Sequence, residues 1–285
     1  MPKNSSPGAD RSLTQRVHAA FAELPDGERR VANLVLDSPG DLAVWTASEL
    51  ATRSGVSNAT VSRLFRRLGY GNYDEARLAA RRLRERGSPL YLARTDGQGG
   101  ALSGIVAEEV ELLETTLSRL NPVTLREIAE AMARAPRVHL AGFRNSHFLA
   151  DYMTAALSNF RPGVVRMVRP GQTLAESIAA VGSGDVVLII GLRRRPAGFG
   201  RLVRAVTGTG ARVVLLADGS IRETPALCTW TLSCLVETPQ ATDSYLGAMS
   251  VLRLLSLEVM KCLGRQGLAY LKSVEDLHDQ LSELD

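Results

Sequence analysis

The chain has 285 residues, 45% of them hydrophobic, and a mean hydropathy of −0.01, which describe a soluble globular protein long enough for two domains at roughly 100 to 200 residues each. No apolar run approaches the roughly 18 to 20 residues of a membrane helix, and the start, MPKNSSPGADRS, lacks the apolar stretch of a secretory signal, so a cytoplasmic location without membrane contact is expected. The formal net charge is only +4, yet residues 1–86 hold 14 Lys and Arg against 10 Asp and Glu while residues 87–285 hold 20 of each, so the whole positive excess lies in the amino-terminal third.

Residues 1–11, rich in Pro, Ser, Gly and charge, read as a disordered start. A helix-turn-helix domain is expected over residues 12–86. Val17, Ala20, Phe21 and Leu24 share one helical face, and Val31, Leu34 and Val35 share a second, so two helices buttress the next pair. The central stretch is WTASELATRSGVSNATVSRLFRRLG, Trp45 to Gly69. Thr46 and Glu49 form a capping box, small Ala51 suits a helix crossing, Gly55 lets the chain leave the first helix with positive φ, and Ser57 caps the second. In that second helix Val61, Leu64, Phe65 and Leu68 form an apolar stripe. The opposite arc carries Thr60, Ser62, Arg63, Arg66 and Arg67, side chains that reach phosphates and base edges from a helix in a major groove. With Thr46, Ser57 and Asn58 at the helix starts, these are the candidate contacts to double-stranded DNA. A further basic helix starts near Tyr73, with Tyr70 and Tyr73 expected to pack in the core.

Residues 87–100, GSPLYLARTDGQGG, read as a linker. Residues 101–120 read as a helix, and Thr124 with Glu127 as the capping box of the next. From Arg137 the pattern alternates: RVHLAG, GVVRMV, DVVLIIGL, ARVVLLAD and CTWTLSC read as strands, with helices between them. That order predicts a doubly wound α/β domain with a five-stranded parallel sheet. Ligands in such sheets bind at the carboxyl ends of the strands. Two loops there lead with glycine: Gly142, Phe143, Arg144, Asn145 and Ser146, then Gly191, Leu192, Arg193, Arg194 and Arg195. A helix start and three adjacent arginines suit a phosphate or carboxylate; a solvated loop or a subunit contact is the alternative. The last long helix, SYLGAMSVLRLLSLEVMKCL, is apolar around most of its circumference, and residues 265–285 read as an acidic tail helix with Val274, Leu277, Leu281 and Leu284 at helical spacing. Cys228, Cys234 and Cys262 are scattered and read as reduced thiols; the four histidines have no metal-ligand spacing, so neither metal nor cofactor is expected.

With both halves in view, TASELATRSGVSNATVSRLFRRLGYGNYDEARL, the strand order and the GFRNS loop resemble the RpiR-type family of bacterial transcriptional regulators, from Leu13 to about Gly264. The resemblance implies a helix-turn-helix head and a sugar isomerase (SIS) domain, residues 101–264, that senses phosphosugars and dimerises. It also carries Ser244 over as a pocket-closing residue. In phosphosugar-binding SIS domains the loops after the first and third strands are rich in hydroxyls; here Ser146 remains in the first, whereas the other reads GLRRRP. Either arginines serve a differently shaped or more acidic ligand, or the domain only dimerises. The expectation is a non-enzymatic regulator, homodimeric or homotetrameric, on a palindromic operator, with a small anionic effector such as a sugar phosphate or related acid. The competing reading, a sugar-phosphate isomerase, would draw its acid and base from Glu176 and His147.

Overall fold

In the computed structural model, which describes residues 12–88, 91, 102–221, 223–240 and 242–283, the chain divides into two units. One comprises Met1–Ser103 with Glu237–Asp243 and the other Gly104–Val236 with Ser244–Asp285. The expected disordered start and most of the expected linker lie outside the described residues. Within residues 87–100 the structure describes Gly87, Ser88 and Tyr91, and Tyr91 is buried in the core of the first unit.

The first unit is built from α1 (Leu13–Ala20), α2 (Asp26–Asp37), α3 (Ala47–Ser54), α4 (Asn58–Arg67) and α5 (Tyr73–Glu85). Thr46 and Glu49 make the expected capping box, Gly55 ends α3 in the left-handed region at φ 64°, and Ser57 accepts from the Thr60 N–H at the start of α4. The apolar stripes meet in one core of Val17, Val31, Val35, Leu50, Val61, Leu64 and Phe65, all fully buried. Phe65 meets the rings of Tyr70 and Tyr73 edge-on at 6.4 and 5.1 Å, and the Tyr73 hydroxyl donates to the Trp45 carbonyl at 2.9 Å. Both tyrosines are therefore core residues. Arg16 of α1 closes the other end of α4: its guanidinium donates to the Leu68 carbonyl at 3.1 Å and stacks over Tyr70 at 4.7 Å, a cation where the helix dipole is negative.

The second unit comprises α6 (Leu102–Ser118), α7 (Pro122–Arg134), β1 (Val138–Gly142), α8 (Asn145–Ser158), β2 (Val164–Arg166), α9 (Leu174–Ala179), β3 (Val186–Gly191), α10 (Phe199–Thr207), β4 (Arg212–Ala217), β5 (Trp230–Ser233) and α11 (Leu246–Leu281), with the first residues of α6 falling before the division. All pairings are parallel, in the order β2-β1-β3-β4-β5. The unbroken apolar run of β3 follows from burial on both faces. Val186, Leu188 and Ile190 enter the core shared with α7, α8 and α11, and Val187 and Ile189 enter the core shared with α10. Full burial of each such side chain contributes about 1.5 to 3 kcal/mol relative to leaving it in water.

One local expectation is corrected. The start of α7 is not a Thr124 and Glu127 box: Asn121 is the cap, accepting from the Val123 and Thr124 N–H groups, with Pro122 in the first turn. Proline's fixed φ and missing donor suit that position, so the helix begins earlier. The helix expected over the tail follows the last core helix, and Gly264, at φ 52° and ψ −126°, breaks the helical conformation between them. Leu277 and Leu281 beyond it are exposed, and Leu284 lies outside the described residues.

Candidate nucleic-acid interface and effector site

The α4 surface sorts its polar residues into two kinds. Thr46 donates to Glu49 Oε2 at 2.9 Å, Ser57 caps the helix, and Asn58 donates to Ser48 Oγ at 3.2 Å, tying α4 to α3. These hold the angle of the helix pair. Thr60 accepts from Arg63 Nη2 at 3.0 Å, Ser62 is half-buried, and Arg63 and Arg66 are exposed. Among the described residues no side-chain partner of Arg66 is found. Arg67 differs from its neighbours: its Nε donates to Glu28 Oε2 of α2 at 2.8 Å, and the Glu28 side chain is only 5% exposed. Arg67 thus anchors α4 to α2, and its guanidinium is less free than those of Arg63 and Arg66. The basic run of α5 is likewise partly committed, since Arg77 and Arg81 donate to the Val44 and Ala43 carbonyls.

In the second unit the topology fixes one switch point. From β1 the chain crosses to β2 on one side, and from β3 to β4 on the other, so β1 and β3 flank the point where strand order reverses. Gly142 pairs with Ile190, so the two glycine-led loops leave adjacent strands at the same level. Helix α8 then packs on one face of the sheet and α10 on the other. Outside the carboxyl ends at such a switch point is where open α/β sheets bind ligands.

Both glycines are demanded by packing. A Cβ on Gly142 would lie 2.0 Å from the Ser146 carbonyl oxygen, and one on Gly191 would lie 2.3 Å from the Phe199 ring. Between them, Arg144 caps α8 with φ 55° and ψ −128°, and Val168, after β2, has φ 55°. Left-handed backbone at an arginine and a β-branched residue is strained, by about 1 to 3 kcal/mol each, and such strain gathers at functional edges.

The predicted anion ligands separate on inspection. Ser146 is buried in the first turn of α8, Arg144 and Asn145 are exposed, and Asn145 donates to the Tyr245 hydroxyl at 3.3 Å, which brings Ser244 and Tyr245 to the same loop. Arg193 is buried and Arg194 exposed. Arg195 is not a free cation: its Nη1 donates to Asp218 Oδ1 at 3.2 Å and to Ser220 Oγ at 3.0 Å, so its charge is largely balanced by the loop after β4. Ser244 donates to Glu109 on α6 at 2.5 Å.

Sequence reasoning missed Arg166, the hub of this edge. From the end of β2 its guanidinium donates to Asp151 Oδ1 at 2.6 Å, to His147 Nδ1 at 2.6 Å, and to the Leu140 and Met167 carbonyls. Because arginine can only donate, His147 Nδ1 accepts and its ring proton sits on Nε2, which donates to Asp151 Oδ2 at 3.0 Å. A charged residue inside the short apolar strand GVVRMV was the available signal. Glu176 is accounted for too: with Thr173 it forms the capping box of α9, and the Thr173 N–H holds its carboxyl below the usual range.

Comparison with known proteins agrees with this architecture. Residues 12–82 match the family model described as the helix-turn-helix domain of the rpiR family. The HTH-type transcriptional regulator HexR of Pseudomonas aeruginosa is 24% identical over 258 residues, covering 89% of this chain and 88% of that protein. The structure of the Vibrio vulnificus NanR protein complexed with ManNAc-6P superposes with a TM-score of 0.56 at 20% identity, covering 95% and 99% of the two chains. The sugar isomerase domain of an RpiR transcription factor from Sphaerobacter thermophilus superposes with a TM-score of 0.57 at 20% identity, over 61% of this chain and 97% of that one. Residues 12–82 thus carry a helix-turn-helix of the rpiR family, and the five-stranded α/β domain has the fold seen in the sugar isomerase domains of RpiR-type transcription factors, to which the chain as a whole is similar.

Proposed function

We propose that the protein binds double-stranded DNA through α4 and that a small anionic metabolite, a sugar phosphate or related acid, modulates this binding from the carboxyl edge between β1 and β3. The observation that carries the first half is the exposed pair Arg63 and Arg66 on a helix whose opposite stripe is fully buried. Arg144, Arg194, the strained loop backbone and the buried Ser146 support the second half, as does the ManNAc-6P complex of NanR, which shares the fold. The protein works in the cytoplasm as a homodimer or homotetramer, so that paired heads enter successive major grooves of a palindromic operator about one helical turn apart. An effector acts through its differential affinity for two arrangements of those heads. Gel-shift assays against the protein's own upstream region should show salt-sensitive retention, and Arg66→Ala should weaken specific binding by about 1 to 3 kcal/mol. Retention indifferent to salt would end this reading.

The commitment of Arg195 to Asp218 favours a second reading, in which the domain dimerises without an effector. A thermal-shift screen in which no metabolite stabilises the protein would select it. The isomerase reading is weaker, since Glu176 serves a helix cap and both ring nitrogens of His147 are engaged.

A further inference from the structure

A cavity of about 560 Å³ opens at the amino ends of β1 and β2, the opposite edge of the sheet from the glycine-led loops. Small-molecule sites run from roughly 300 to 1,000 Å³, so it has the size of one. Pro136 and Pro162, each two residues ahead of its strand, form its wall with Leu263, and half-buried Cys262 borders it just before the break at Gly264. Its charge is one-sided. Arg126, Arg134 and Arg161 line it against the single carboxylate of Glu130, which accepts from both Arg126 Nε at 3.2 Å and Arg134 Nη2 at 3.0 Å. Glu258 reaches Arg126 at 3.8 Å but also pairs with Lys261. Arg161 differs from the other two in being only 5% exposed. Its guanidinium donates to the carbonyls of Met132, Ala135 and Pro162, one bond from each nitrogen, so each Nη atom carries a further N–H. Among the described residues no Asp or Glu forms an ion pair with it, and burial, opposed by no carboxylate, pulls its pKa below the ordinary value. The Met132 and Ala135 carbonyls close the C-terminal end of α7, whose dipole offsets only about half an elementary charge. A buried guanidinium is ordinarily matched by an anion.

We propose that this cavity is a binding site for a small organic oxyanion, whose carboxylate or phosphate group balances Arg161 while its carbon body lies against Leu263 and the two prolines. Guanidinium groups grip either oxyanion with paired hydrogen bonds, and Arg126 and Arg134, with 55% and 76% of their side chains exposed, have the freedom to turn from Glu130 toward it. The site shares no residue with the carboxyl edge between β1 and β3, so it stands apart from any effector bound there. Cys262 precedes the break at Gly264 and Gln266 follows it, and both line the cavity. An occupant therefore touches both arms of α11 and couples the direction of its last turns to α7.

Cys262 makes the cavity readable by iodoacetamide labelling of the full chain, mapped by peptide mass, with Cys228 as the internal control. The probes are phenyl phosphate, benzoate and neutral benzyl alcohol at millimolar concentrations. Phenyl phosphate or benzoate should slow labelling of Cys262 at least about threefold, the factor reached when a probe stands at twice its Kd, and leave Cys228 unchanged. The stronger of the two names the preferred oxyanion, and benzyl alcohol should not protect. Arg161→Met should abolish the protection. Should that variant fail to fold, Arg126→Ala combined with Arg134→Ala changes only exposed side chains and should at least halve it. Labelling of Cys262 that no probe slows, protection by benzyl alcohol equal to that by the anions, or protection undiminished in the variants would each overturn the site. Protection lost in Arg144→Ala combined with Arg194→Ala, and kept in the other variants, would place the anion at the carboxyl edge and overturn it equally.

Discussion

Replacing Arg67 by alanine is expected to destabilise the helix-turn-helix unit, whereas the same change at Arg66 is not. Arg67 reaches Glu28 at 2.8 Å, with 48% of the arginine side chain but only 5% of the glutamate exposed. Removing one partner of a buried pair costs about 3 to 5 kcal/mol because the other charge is stranded, while an exposed pair is worth about 0 to 1 kcal/mol. With one partner buried and the other half in water, the expected loss is about 2 kcal/mol. Arg66 is exposed and its loss should stay within about 0.5 kcal/mol. Urea titration in a Trp230→Phe background leaves Trp45 as the only tryptophan, so fluorescence reports the first unit. At a slope of about 2 kcal/mol per molar urea, Arg67→Ala should lower the midpoint by about 1 M. Adding Glu28→Gln should restore more than half of the loss, since a neutral amide is left in place of a charge. Coincident midpoints for Arg67→Ala, Arg66→Ala and wild type would refute the reasoning, because Glu28 would then need no partner.

Three further outcomes are expected in the second unit. Gly142→Ala places a Cβ 2.0 Å from a backbone oxygen that cannot swing aside, and should lower stability by about 3 kcal/mol; a melt like that of wild type would rule out the close approach. Burial pulls the Asp185 carboxyl upward, but hydrogen bonds from the Gly182 N–H, His139 Nε2 and the Arg137 N–H outweigh it and hold it below its ordinary value. A depressed carboxylate contributes stability above its unfolded value of about 3.9 that is lost as pH falls through the folded one, so Asp185→Asn should flatten the acid limb of a denaturant-midpoint series from pH 5 to pH 2; superimposable limbs would contradict this. Burial pushes the Cys234 thiol up to about 12 and Cys228 to about 11, so iodoacetamide at pH 8 should label Cys234 only after unfolding, as read by peptide mass mapping.

Elements whose signal is local were legible in the sequence. The Thr46 and Glu49 box, Gly55 and Ser57 each act within a few residues, and the stripe Val61, Leu64, Phe65 and Leu68 needs only helical periodicity. The run from Val186 to Gly191 declared itself a central strand by having no polar residue. What escaped is long-range. Arg67 meets Glu28 across 39 positions, Arg195 meets Asp218 across 23, and Ser244 meets Glu109 across 135. A row of arginines in a sequence gives charge but not the carboxylates that fold against it, so the loop after β3 reads as more cationic than it is. Asn121 escapes for a local reason: Thr124 and Glu127 have the spacing of a capping box, although Asn-Pro is the stronger start.

The steric demand at Gly142 and Gly191 separates two kinds of constraint along the same loops. Any side chain at either position would strike the helix packed beneath it, whatever lies above. The glycines therefore record how α8 and α10 dock on the sheet and say nothing of a ligand. Arg144, Asn145 and Arg194, exposed on the same loops, are under no such steric demand. Drift in those few side chains can change the charge and shape of this edge while the scaffold that aims the loops stays unaltered.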